Sequence, residues 1–138
     1  MRSIVVDTGP LVALLSRNDS NHARVRDFLR ESQSALLTTW PVLTEAWHLL
    51  APSNRLHLMR WVAGDGVAVF DLTPDDTSDV LSLLEHYEDS GMDLADASLV
   101  VLASRAGISD ILTVDRRDFD VYRLLDGRPF VRVLASLP

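Results

Sequence analysis

Short apolar runs alternating from end to end with longer, helix-like stretches constrain this chain more than any other feature. Ile4-Val5-Val6 is β-branched and stops abruptly at Asp7-Thr8-Gly9-Pro10, which reads as a buried strand feeding a helix with Pro10 near its first position. Ala35-Leu36-Leu37, Val67 to Phe70, Ile111 to Val114 and Phe130 to Leu134 read as four further strands. Helices are expected between them. The first covers Leu11 to Leu15, and a second, capped by Asp19 or Ser20, has Val25, Phe28 and Leu29 on one face. Thr39 opens a third over Trp40 to Leu50, and Ser53 a fourth that runs to Ala63 before Gly64-Asp65-Gly66. Thr73-Pro74-Asp75-Asp76 is a cap, a first-turn proline and two first-turn acids, opening a helix to Tyr87. Asp93 caps Leu94 to Ala106, with Gly107 just beyond its end.

Strands apolar on both faces, each followed by helix, call for a parallel sheet covered on both sides. Ligands of such sheets bind outside the carboxyl ends of the strands, where strand order reverses. Residues immediately after each strand are therefore where chemistry is expected.

At 138 residues the chain has the length of one domain. It contains no cysteine, so a disulfide framework, a thiol nucleophile and thiolate-held metal are excluded. All 13 basic residues are arginine, which removes Schiff-base chemistry and a P-loop. Against them stand 20 acids, for a formal charge of -7, so a broad basic footprint on nucleic acid is not available. The opening Met-Arg-Ser-Ile-Val-Val-Asp places an acid too early for a signal peptide, and no run approaches the ~20 apolar residues of a membrane span. A cytoplasmic protein without membrane association is expected.

Four acids stand out. Asp7 and Asp115 directly follow the first and fourth strands. Asp96 lies inside a helix whose other residues are nearly all apolar, the pattern of a buried helix. Glu45 shares a stripe with Val42, Ala46 and Leu49, where an isolated carboxylate would cost several kcal/mol or stay protonated. With no lysine available, its partner must be an arginine or a metal. The four can converge on one edge of the sheet, and carboxylates that meet there need a divalent cation to cancel their repulsion. Oxygen-only ligands select Mg²⁺ or Mn²⁺, ions that handle phosphates. Asp93 reads as a helix cap, and so does Asp118 for a short helix after it. The histidines show no ligand spacing.

Val6-Asp7-Thr8-Gly9-Pro10-Leu11, the Glu45 helix, Asp93-Leu94-Ala95-Asp96-Ala97 and Thr113-Val114-Asp115-Arg116-Arg117-Asp118-Phe119 together resemble the PIN-domain family. Within it the chain resembles the VapC-type ribonuclease toxins of type II toxin–antitoxin systems, over nearly its whole length. The resemblance implies a three-layer α/β/α fold, residues 1–138 as one PIN-like domain, with a short, mainly parallel five-stranded sheet ordered 3-2-1-4-5. It implies a Mg²⁺- or Mn²⁺-dependent endoribonuclease that leaves a 5′-phosphate and a 3′-hydroxyl and is silenced by a cognate antitoxin. Asp7, Glu45, Asp96 and Asp115 map onto the catalytic acids, with Asp7, Asp96 and Asp115 as metal ligands and Glu45 on the attacking water. Thr8 and Thr113 match the supporting hydroxyls, and Asp93 an occasional further acid. Gly9-Pro10 departs from the Ser and small apolar residue of many members. A homodimer is possible through the tryptophan-bearing middle helices.

Rival classes are weaker. A phosphoacceptor receiver domain needs a late lysine, and a haloacid-dehalogenase-type phosphatase needs an Asp at position 9, which is glycine. The remaining alternative is a PIN fold acting as a non-catalytic RNA- or protein-binding module.

Overall fold

Ile4, Val5 and Val6 of the first strand, β1 (Ser3–Val6), are sealed from solvent because a strand pairs with them on either side. In a computed structural model, which describes residues 2–115 and 117–134, β1 pairs with β2 (Ala35–Thr39), setting Ile4 opposite Leu36. On its other side it pairs with β4 (Asp110–Leu112), setting Val5 opposite Ile111. Strands β3 (Ala68–Phe70) and β5 (Val131–Arg132) form the edges. All pairs are parallel, in the order β3-β2-β1-β4-β5. Strand order therefore reverses beside β1, and the turns after β1 and β4 meet at that switch point.

The helices are α1 (Thr8–Leu15), α2 (His22–Ser32), α3 (Trp40–Leu49), α4 (Pro52–Ala63), α5 (Thr77–His86), α6 (Leu94–Ala106) and α7 (Asp118–Val121). Apolar on every side, α6 lies against β1 and β2, with Leu99 to Ala103 fully buried. It ends as its sequence demands, with Gly107 in the left-handed region at φ 68°. Its buried Ser98 donates to the Ala95 carbonyl at 2.6 Å, so the Thr39 hydroxyl, 2.6 Å away, donates to Ser98. That bond ties the start of α3 to α6 and fixes the two helices that carry Glu45 and Asp96.

Element ends differ from expectation where side chains override propensity. β4 stops at Leu112 rather than Val114, because Thr113 turns its hydroxyl to Asp7. β3 begins at Ala68, and β5 shrinks to two residues because β4 offers so short a partner. Asp19 accepts from the Asn21 amide at 2.8 Å and does not cap α2. Pro52, not the residue after Ser53, is the first residue of α4. The Thr73 capping box forms, but its first turn is a 3₁₀ turn (Pro74–Asp76) ahead of α5.

Candidate active site

Four elements end or begin at the switch point, and each delivers oxygen. β1 delivers Asp7, α3 Glu45, the start of α6 Asp93 and Asp96, and the β4–α7 turn Asp115 and Asp118. These six carboxylates, with Thr8 and Gly9, line one cleft of about 450 Å³. The four acids expected to converge are thus brought together, with Asp93 beside them. Gly9 is needed for the closeness: a Cβ there would sit 2.4 Å from the Val114 side chain, so glycine lets the β1 turn press against the β4 turn.

Local bonding holds the acids in place. The Thr113 hydroxyl donates to Asp7 Oδ2 at 2.9 Å and accepts from the Asp115 amide at 3.1 Å, linking two turns 106 residues apart. Asp93 is the N-cap of α6: its Oδ1 accepts from the Asp96 amide at 2.9 Å. The Tyr122 hydroxyl donates to Asp96 Oδ2 at 3.0 Å. Thr8 is buried, and its side chain faces Glu45, where it opposes the rise in that acid's pKa. Among the described residues no arginine forms an ion pair with any of the six carboxylates. Arg116, in the last motif, lies outside them.

Without an arginine ion pair among the described residues, Asp7, Glu45, Asp96 and Asp118 resist ionisation. Burial pushes Asp7 up to about 6 against hydrogen bonds from Thr8 and Thr113, and the charges of Glu45 and Asp115 add to the rise. Burial likewise raises Asp96 to about 7, helped by the charges of Asp93 and Asp7 and opposed by Tyr122. Glu45 is raised by burial and by the Asp93 charge. Asp115 goes the other way: burial is outweighed by the amides of Arg117 and Asp118 and the Asp118 carboxyl, all bonded to it, and by the Arg117 charge. Asp118 is correspondingly raised to about 6, by burial and by Asp115.

Two residues here escaped the sequence. Asp118 was expected to cap the short helix, but Asp115 takes that role, accepting from the Arg117 and Asp118 amides at 2.8 and 3.3 Å. Asp118 instead turns its carboxyl into the cleft. Acids three apart at a turn are interchangeable as caps by pattern, so only their spacing hinted at a pair. Tyr122 gave no signal, since a lone tyrosine after a short helix is unremarkable.

The donors fit a hard divalent cation. They are oxygens only, none of the carboxylates forms an ion pair with an arginine among the described residues, and Thr8 adds a buried hydroxyl beside Glu45. Among the described residues no three of them already close on a single point. They surround a common volume, which suits an ion bound through one or two carboxylates while it keeps part of its water shell and takes substrate phosphate oxygens.

A parallel sheet ordered β3-β2-β1-β4-β5 with a carboxylate cleft at its switch point defines an α/β domain with an acidic site at the carboxyl edge of its sheet. The PIN domain pattern matches residues 4–124, and the chain belongs to the PIN domain family. It is similar to Ribonuclease VapC26 of Mycobacterium tuberculosis (strain ATCC 25618 / H37Rv), 29% identical over 131 residues that span 92% of this chain and 97% of that protein. A crystal structure of Mycobacterium tuberculosis VapC20, a sarcin–ricin loop cleaving toxin, superposes with a TM-score of 0.75 at 23% identity. The match covers 83% of this chain and 91% of that one, and shows a shared fold.

Proposed function

We propose that this PIN-like domain, residues 1–138, is a Mg²⁺- or Mn²⁺-dependent endoribonuclease acting in the cytoplasm as the toxin of a toxin–antitoxin pair. Six carboxylates in one cleft, none of them paired with an arginine among the described residues, carry the reading. The similarity to VapC26 along almost the whole of both chains supports RNA as the substrate.

Asp7, Asp96 and Asp115 would hold the cation, which supplies water activation and neutralises charge developing on the phosphoryl oxygens. Glu45, whose pKa is raised by burial and by the Asp93 charge, accepts the proton of the attacking water. Thr113 keeps Asp7 and the Asp115 turn in register, and Tyr122 fixes the Asp96 carboxyl. Asp93 holds the start of α6 so that Asp96 faces the cleft.

Purified protein, freed of any antitoxin, is expected to cut a panel of structured RNAs with Mg²⁺ or Mn²⁺ and to stop in EDTA. Cleavage undiminished by EDTA would defeat the mechanism, because the cleft holds neither a lysine nor a histidine to replace the cation.

A further inference from the structure

A second hollow, of about 510 Å³, adjoins the acid-lined cleft and shares Glu45 and Asp93 with it. Its walls are otherwise largely apolar, with Trp40 and Pro41 at the start of α3 and Leu94 and Ala95 at the start of α6, joined by Thr44 and His48 on α3. Trp40 is 49% exposed and Leu94 56%. The other two tryptophans are engaged, Trp61 against Gly66 and Trp47 beneath the Arg55 guanidinium at 5.5 Å. Of the three, Trp40 is the one that stands exposed, beside the cleft where a phosphate would sit.

We infer that this hollow receives an unpaired nucleobase of a single-stranded RNA segment, next to the phosphate held in the cleft, with Trp40 as the stacking surface. The inference rests on the ribonuclease reading and adds a specificity-determining residue to it. Shared walls place the two sites next to each other, so one nucleotide can reach both. Glu45 and Asp93 on the rim repel a phosphate but not the neutral face of a base, which aromatic side chains bind by stacking. Charge favours such a contact. A chain of formal charge -7 lacks a broad basic footprint and gains little from counterion release, so a base contact beside the cation site adds affinity that overall charge does not.

The test uses the full chain in Ca²⁺ buffer and two fluorescein-labelled probes of equal charge: a mixed-sequence single-stranded RNA decamer and a decamer of abasic ribose phosphates. Wild type is expected to bind the base-bearing decamer about ten-fold more tightly, the scale of one base–aromatic stack. Trp40→Ala should lose that preference and bind the abasic decamer as wild type does, while Trp40→Phe keeps most of it. With Mg²⁺, Trp40→Ala should raise KM about ten-fold and leave kcat within about two-fold. Equal preference in wild type and Trp40→Ala would overturn the inference, as would wild type that binds neither probe. A Trp40→Ala change from dimer to monomer on sedimentation, with both RNA affinities unaltered, would make the hollow an interface between copies and also overturn it. Trp40-dependent base binding by a wild type that cuts no RNA would leave this inference standing and sink the ribonuclease reading.

Discussion

The two ends of β4 treat an acid in opposite ways. At its start Asp110 meets Arg2 in an ion pair of 2.8 Å. Beyond its other end Asp115 faces Asp118, with Asp7 close by and no arginine paired to any of them among the described residues. The same contrast holds across the molecule. Asp76, 3% exposed, is held by Arg105 and by the Thr73 amide at 2.9 Å, while Asp120 and Asp126 pair with Arg132 and Arg128. Arginine is plentiful enough to neutralise acids wherever the fold alone needs it. At the switch point charge is left unbalanced, which costs stability in the absence of a cation and makes the cleft a place where one binds.

The sharpest way to break this contrast is to neutralise one acid of the cleft. Asp7→Asn and Asp96→Asn should each lower kcat for RNA cleavage by at least about 10²-fold, the scale of one preorganised electrostatic group. Asp110→Asn should leave kcat unchanged. Comparable losses from Asp110→Asn would mean that the two ends of β4 are not different in kind.

Stability should separate them next. Above about pH 4 the unfolded chain has shed the protons of Asp7 and Asp96, while the folded chain holds that of Asp7 up to about pH 6 and that of Asp96 up to about pH 7. Folding binds protons in that window, so in EDTA stability should fall as pH rises, by at most about 1.4 kcal/mol per pH unit for each group, and level off above it. A divalent cation should reverse the fall, adding about 2.7 kcal/mol at a hundredfold excess over Kd. At pH 7.5 in EDTA Asp96→Asn should melt no lower than wild type, and with Mg²⁺ it should melt lower. Thermal melts across pH with and without Mg²⁺ check both signs. A mutant that melts lower in EDTA would make Asp96 a helix-start residue only.

On the paired side, Arg105→Ala leaves Asp76 buried without its cation and should cost about 1–3 kcal/mol in urea unfolding, whether or not metal is present. The smallest effect belongs to Arg2→Ala. Its pair with Asp110 is half exposed, so the loss should stay below about 1 kcal/mol and shrink in high salt.

Much of this was legible from residue order. Alternating apolar runs and helices called for a parallel sheet, and a strand that ends at Asp7 called for an acid at the carboxyl edge. Asp93 announced the start of α6 and Gly107 its end, because caps are local chemistry that a few neighbours settle. Periodicity also put Glu45 on the inward stripe of its helix, where a carboxylate has to be accounted for.

Which acids face one another was not local. Asp115 both lines the cleft and bonds the amides that open α7, and Asp118, three residues on, lines the cleft instead of capping; only the turn packed against Asp7 decides this. Thr113 leaves its strand for a carboxylate 106 residues earlier, and Tyr122 finds Asp96 across 26. Trp40 stands exposed at the start of α3, which residue order alone does not settle. Propensity, caps and periodicity depend on neighbours within a turn or two, so sequence determines them by itself. Charge balance at the switch point depends on which turns the sheet order brings together, and that only the folded chain decides.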